Sequence, residues 1–163
     1  MSRGKLDATD LQILADLQNN GRITNVELAK RAGISAPPCL RRVRVLEEKG
    51  YIHGYHADLS TDLLGYKVTV FAYVGLKSQA EADLKAFEEL VDSWDEVRAC
   101  YMLSGEIDFL LKIVARDLES FQSFLTSKLT PAPNVGSVKT SLSVRTSFNK
   151  PSVPMAQIIK DQD

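Results

Sequence analysis

The sequence predicts an α+β chain in two parts: three short helices, then a sheet-bearing half whose elements follow the order β-α-β-β-α-β. Three observations carry this. Apolar residues recur at helical spacing, between polar caps and glycine stops, up to about residue 49. From Val68 the pattern changes to strand-like alternation. Helical stretches at about 80–92 and 117–129 are then interleaved with alternating segments. At 163 residues, 44% hydrophobic and 25% charged, the chain is long enough for two small domains and needs no covalent staple.

Leu6-Asp7-Ala8-Thr9-Asp10-Leu11 has the grammar of a helix start, with Asp7 as N-cap and Leu6 and Leu11 placed for a hydrophobic staple. The helix runs over about 8–19 on an Ile13, Leu14, Leu17 stripe, and Asn19-Asn20-Gly21 stops it. Thr24 caps a second helix whose inward residues are Leu28, Ala29 and Ala32, and Gly33 ends it. Ser35 is placed to cap a third, at about 36–49, in which Pro37 and Pro38 cost little because first-turn amides lack intrahelical acceptors. The small residues and turn glycine of Ala29–Ser35 let the second and third helices cross closely and steeply, as in a helix-turn-helix.

The third helix separates into two faces. Cys39, Val43 and Leu46 recur at i, i+4 and i+7 and should pack inward. The other side presents Ala36, Pro37, Leu40, Arg41 and Arg44, with Arg42 nearby. An arginine-bearing solvated face is common on any helix; behind a helix-turn-helix turn it reads as a surface for duplex DNA. After Gly50, Tyr51–Ala57 alternates bulky and polar residues around Gly54 and reads as a short hairpin or wing.

In the second half, Val68, Val70, Ala72, Val74 and Leu76 alternate with Thr69, Phe71 and Tyr73. Leu84, Phe87 and Val91 then mark a helix. Strands at about 97–103 and 108–115 meet in the Ser104-Gly105-Glu106 turn. Asp117 caps the next helix, with Leu118, Phe121, Leu125 and Leu129 as its buried stripe, and Val138, Thr140, Leu142 and Val144 alternate in a last strand. This is the order of a ferredoxin-like sandwich, whose sheet has one face free of helices. Here that face carries large residues from the set Phe71, Tyr73, Cys100 and Met102, and sheet-to-sheet pairing of two copies would cover it. The expected divisions are 1–57 for the winged helix-turn-helix, 58–66 for a linker, 67–150 for the assembly domain and 151–163 for a loosely held tail.

Charge follows this division. Residues 1–57 hold nine Lys/Arg against six Asp/Glu, and residues 58–163 eleven against fifteen, which suits an anion-binding head on a body that avoids polyanions. Cys39 and Cys100 stand far apart without a C-x-x-C pair, so a reducing cytoplasm is expected. The longest apolar runs fall short of the ~20 residues of a membrane span, and the N-terminus lacks an apolar signal core. His53 and His56 have no further ligands at zinc spacing, and phosphate-cradling or metalloprotease motifs are missing, so neither a cofactor nor catalysis is expected.

Leu6-Asp7-x-x-Asp10-x-x-Ile13-Leu14, the run from Asn25 to Glu47, Gly50–Tyr55 and Ser104–Lys112 together closely resemble the Lrp/AsnC family over most of residues 6–150. The resemblance implies a DNA-binding homodimer, assembling further into an octamer, whose C-terminal domains bind a small amino acid between subunits. It assigns Asn25, Ser35, Ala36, Pro37, Leu40, Arg41, Arg42 and Arg44 to the DNA interface. For the effector it points to Met102, Leu103, Ser104, Gly105, Glu106 and Asp108, with Thr140 and Ser141 as polar partners. There Asp108 can hold an α-ammonium group and the amides around Gly105 an α-carboxylate. Without the resemblance the same residues read as an ordinary hairpin turn. The competing function is an amino-acid sensor or assembly module that controls a partner protein and does not bind DNA.

Overall fold

The computed structural model describes residues 6–151 and 153–160. Three helices come first: α1 (Ala8–Asn19), α2 (Asn25–Arg31) and α3 (Ala36–Glu48). Asp7 caps α1 in a capping box, its side chain accepting from the Asp10 N–H at 2.8 Å, an arrangement that stabilises a helix start by about 1 kcal/mol. Thr24 caps α2 through the Glu27 N–H. The core of the three helices is Ile13, Leu28, Ala29, Cys39 and Leu46.

Both α2 and α3 end on a glycine in the left-handed region, Gly33 at φ +68° and Gly50 at φ +73°. In each, the residue after the glycine closes the last turn: Ile34 N–H donates to the Ala29 carbonyl and Tyr51 N–H to that of Leu46. The glycines are needed because only a residue without Cβ enters this region at little cost.

The second half is a four-stranded antiparallel sheet of β1 (Val68–Leu76), β2 (Val97–Met102), β3 (Phe109–Ala115) and β4 (Val135–Leu142), in the order β2-β3-β1-β4. Two helical segments pack on one face: α4 (Glu81–Asp92) and α5 (Leu118–Phe124), the latter continuing into a π-helical turn over Leu125–Leu129. Between them lie Val70, Ala72 and Val74 of β1, Phe109, Leu111 and Ile113 of β3, and Phe87, Val91, Phe121, Phe124 and Leu129 of the helices. The described parts of Met1–Asp58 and Phe148–Asp163 form one compact unit and Leu59–Ser147 the other.

Four expectations need correction. Among the described residues no second arm pairs with residues 51–57, so the wing is an extended segment and not a hairpin, followed by a turn at Thr61–Gly65. Leu118 is exposed, because it opens α5 directly after its Asp117 cap, and the π-helical turn carries the buried stripe from Phe121 and Phe124 to Leu129.

The third correction concerns β2. Val97 lies opposite Ile113 on the helix side, but a bulge between Val97 and Ala99 shifts the register, so Ala99 faces Lys112, Cys100 faces Leu111 and Met102 faces Phe109. One inserted residue exchanges the faces of all that follow. Cys100 and Met102 therefore lie on the helix side, and Tyr101 joins Phe71, Tyr73 and Leu110 on the open face. Finally, the tail is ordered in part: α6 (Met155–Lys160) buries Met155 and packs on α1, and the Gln18 side chain exchanges hydrogen bonds with the Val153 backbone.

Candidate nucleic-acid interface and ligand site

In α3, positions 37, 40, 41 and 44 fall on one stripe at i, i+3, i+4 and i+7. Pro37, Leu40, Arg41 and Arg44 are all exposed there, and neither arginine has an ion-pair partner among the described residues. Ser35 precedes the stripe with an exposed side chain that makes no capping bond. Two cationic forks on the solvent side of a helix, beginning at a tight turn, can engage phosphates and guanine edges bidentately.

Two residues assigned to this interface from sequence point elsewhere. Arg42 sits about 140° around the helix from Pro37, given 100° per residue. Its Nη1 donates to Asp7 at 2.8 Å and to Asp10 at 2.7 Å, at the start of α1. The Asp10 N–H, with Arg42 beside it, holds the Asp7 carboxyl below its ordinary range. The stability this contributes is present above the unfolded carboxyl's pKa and is lost as pH falls through the depressed value. Asn25 is half-buried, and its Nδ2 donates to the Ala36 carbonyl at 2.9 Å. At the other end of α3 the Tyr55 hydroxyl donates to Glu47 at 2.9 Å; burial, with this bond and the glutamate charge adding, pushes the phenol up to about 12.

At the β2–β3 turn, the Leu103 N–H donates to the Asp108 carbonyl and closes the hairpin at 2.8 Å. Gly105 has φ +152°, which side-chain-bearing residues rarely adopt. Met102, Leu103, Ser104 and Glu106 are exposed around it. Asp108 is not idle in this turn. Its N–H donates to the Val74 carbonyl at 3.1 Å, and its Oδ2 accepts from the Leu76 N–H at 2.6 Å and the Gln79 side chain at 3.5 Å. It thus ties the turn to the irregular end of β1, where the pairing with β4 shifts between Gly75 and Leu76. The partners Leu76 and Gln79 carry no signal in sequence, since they meet Asp108 only through strand pairing.

Thr140 and Ser141 are not brought to this turn within one chain. They pair with Ala72 and Phe71 on β4, at the opposite edge of the sheet from β2. Three strand spacings of ~4.8 Å separate those edges. Thr140 also lies on the helix side and Ser141 on the open side. A separate concavity of about 430 Å³ lies between α4 and β2, lined by Glu88, Glu89, Asp92, Arg98 and Cys100 among others. Burial, with Glu88 adding, pushes the Cys100 thiol up to about 11, so at neutral pH it is a thiol and a poor nucleophile. Among the described residues no three His, Cys, Asp or Glu side chains are grouped to hold a metal, and no helix is long and apolar enough to cross a membrane.

A helix-turn-helix with unpaired arginines on its third helix, followed by an antiparallel sheet with two helices on one face, defines a two-domain DNA-binding regulator. Residues 6–53 match a family model described as winged helix-turn-helix DNA-binding, and residues 69–153 match the Lrp/AsnC ligand binding domain. The chain is 57% identical over 143 residues to the leucine-responsive regulatory protein of Rhizobium meliloti, covering 88% of this chain and 92% of that one. It is 37% identical to the Bkd operon transcriptional regulator of Pseudomonas aeruginosa, over 93% of this chain and 99% of that protein. A transcriptional regulator of Neisseria meningitidis, solved in complex with L-Met, superposes with a TM-score of 0.88 at 34% identity, over 94% of this chain and 99% of that one. The chain belongs to the Lrp/AsnC family of transcription regulators, which are not enzymes.

Proposed function

We propose that this regulator reads duplex DNA through Ser35, Ala36, Pro37, Leu40, Arg41 and Arg44, and that a small apolar amino acid bound at the β2–β3 turn between subunits changes its assembly or DNA affinity. The observation that carries the DNA reading is the unpaired Arg41–Arg44 stripe behind the Gly33 turn. Such a protein acts in the cytoplasm, where the chromosome is. Salt-dependent mobility shift of a duplex by the full-length protein tests it. A protein without salt-sensitive duplex binding is the partner-controlling sensor instead.

Assembly is proposed to begin at the open face of the sheet. Phe71, Tyr73, Tyr101 and Leu110 present an apolar surface there that a second copy would cover, burying area at ~25 cal/mol per Å². An octamer is the proposed end state. Phe71→Asp should convert the assembly to smaller species in sedimentation at micromolar concentration. An unchanged sedimentation profile would place the dimer contact elsewhere.

The regulator solved with L-Met makes L-methionine and L-leucine the first effectors to try. Thr140 and Ser141 of one subunit can complete the turn site of another, since one chain keeps them apart. Asp108 is given two duties, bracing Leu76 with one carboxylate oxygen and holding the ligand ammonium with its charge. Asp108→Ala removes both and should cost stability as well as binding. Asp108→Asn keeps an acceptor for the Leu76 N–H and loses the charge. It should melt near wild type and bind L-methionine ~10–100-fold more weakly, the worth of a charged hydrogen bond. Unaltered calorimetric affinity in Asp108→Asn would remove Asp108 from the site.

A further inference from the structure

The first turn of α3 is poorly secured by its own sequence. Ser35 gives it no side-chain cap, although Pro37 and Pro38 suit a first turn, where amides lack intrahelical acceptors. Its anchor comes from α2: the Asn25 Nδ2 reaches across eleven positions to the Ala36 carbonyl at 2.9 Å. The other end of the same amide is telling. Asn25 Oδ1 is buried with no hydrogen-bond partner among the described residues, an unfavourable state for a polar atom in a protein interior. Turning the amide over would place Oδ1 against the Ala36 carbonyl oxygen, two acceptors facing each other. The bond to Ala36 therefore fixes the amide, and the loss at Oδ1 is tolerated for it.

A second anchor lies one and a half turns further on. Arg42 Nη1 bridges Asp7 and Asp10, and Asp10 is itself half of the capping box that starts α1. Both anchors approach α3 away from the exposed stripe of Pro37, Leu40, Arg41 and Arg44. The Ala36 carbonyl engages the Asn25 amide nitrogen, and the two carboxylates engage Arg42 Nη1.

We propose that Asn25 and Arg42 are positioning residues that aim the α3 stripe at the base edges and do not touch DNA themselves. This rests on α3 being the DNA face. A base-edge hydrogen bond weakens steeply with misalignment, whereas a screened phosphate attraction tolerates it. Losing an anchor thus erodes sequence discrimination more than general affinity.

The test uses full-length protein and two duplexes of equal length and composition, one selected from a random pool by the wild-type protein and one scrambled from it. Affinities are read by fluorescence anisotropy over a range of salt. Asn25→Ala and Asp10→Asn should each lower affinity for the selected duplex about tenfold and leave the scrambled duplex and the salt slope unchanged. Arg44→Ala, the comparison, should lower the slope by about one on both duplexes. The ratio of the two affinities on one preparation does not depend on the folded fraction, so partial unfolding cannot imitate the result. Asn25→Asp, which swaps the donor for a carboxylate at equal size, should reproduce the loss of discrimination.

Asp10→Asn also has a decisive sign. It leaves Arg42 held by Asp7 alone, so if Arg42 were a DNA contact both duplexes would bind more tightly and with a steeper salt slope, and the proposal would fall. A slope reduced by about one in Asn25→Ala, or an unchanged ratio in both variants, would overturn it equally. If the wild-type protein itself binds neither duplex in a salt-dependent way, the DNA reading fails first and takes the positioning role with it.

Discussion

Removing Arg41 and Arg44 together should reduce affinity for a selected duplex by roughly a hundredfold or more at moderate salt, since each bidentate contact is worth ~1–3 kcal/mol. The dependence of log affinity on log salt should flatten by about two, one for each cation withdrawn from the phosphates. Folding should be untouched. Both side chains are exposed and make no ion pair among the described residues, so the melting curve should shift by no more than an exposed substitution usually causes, about ±0.5 kcal/mol. Anisotropy titrations at three salt concentrations, with thermal melts of the same samples, measure both quantities. A double variant with wild-type affinity and slope would show that the stripe does not face DNA.

The largest loss of stability is expected from Phe109→Ala. Phe109 is fully buried at the start of β3, its ring centroid 4.9 Å from that of Phe87 on α4, between Val74 of β1 and Met102 of β2. Truncation there removes the ring's transfer free energy and leaves a cavity that the paired strands cannot collapse into, for ~3–5 kcal/mol. That is a large share of the ~5–15 kcal/mol by which a domain is stable. Phe109 also adjoins Asp108, so its loss should weaken amino-acid binding together with folding, unlike Asp108→Asn. Denaturant unfolding followed through Trp94, whose ring stacks edge-on against Phe124 in the same core, reports on this unit directly. A midpoint within experimental error of wild type would contradict the packing described.

Much of this architecture was legible before any coordinates. Asp7, Thr24, Gly33 and Gly50 act at short range, so each marks its helix end without knowledge of the rest of the chain, and α1 begins and ends where its cap and asparagine stop predict. The alternation from Val68 likewise made β1 readable, because a strand's side chains take opposite faces whatever its partners are. The Arg41 and Arg44 stripe followed from helical geometry alone.

What stayed hidden depends on the partner. Nothing local in Val97–Met102 announces the bulge that turns Cys100 and Met102 to the helix side, because a bulge is a mismatch with β3 and exists only in the pairing. The tail's proline-rich start suggested a loosely held end, but Met155 is buried by contact with α1, more than a hundred residues earlier. The same holds at the candidate sites. Asp108 was legible as a carboxylate beside a turn, yet its brace to Leu76 comes from strand registry. Arg42 is chemically the equal of Arg41 and Arg44, and helical periodicity could place it off their stripe but not name Asp7 and Asp10 as its partners. The sequence by itself determined the bounds of α1, α2 and α3, the start of β1 and which residue types are available for chemistry, since caps, glycines and periodicity act within a few residues. Only the tertiary structure decided which of those side chains are free for a ligand and which are already bound, since hydrogen bonds between distant segments form only when packing brings them within 3 Å or so.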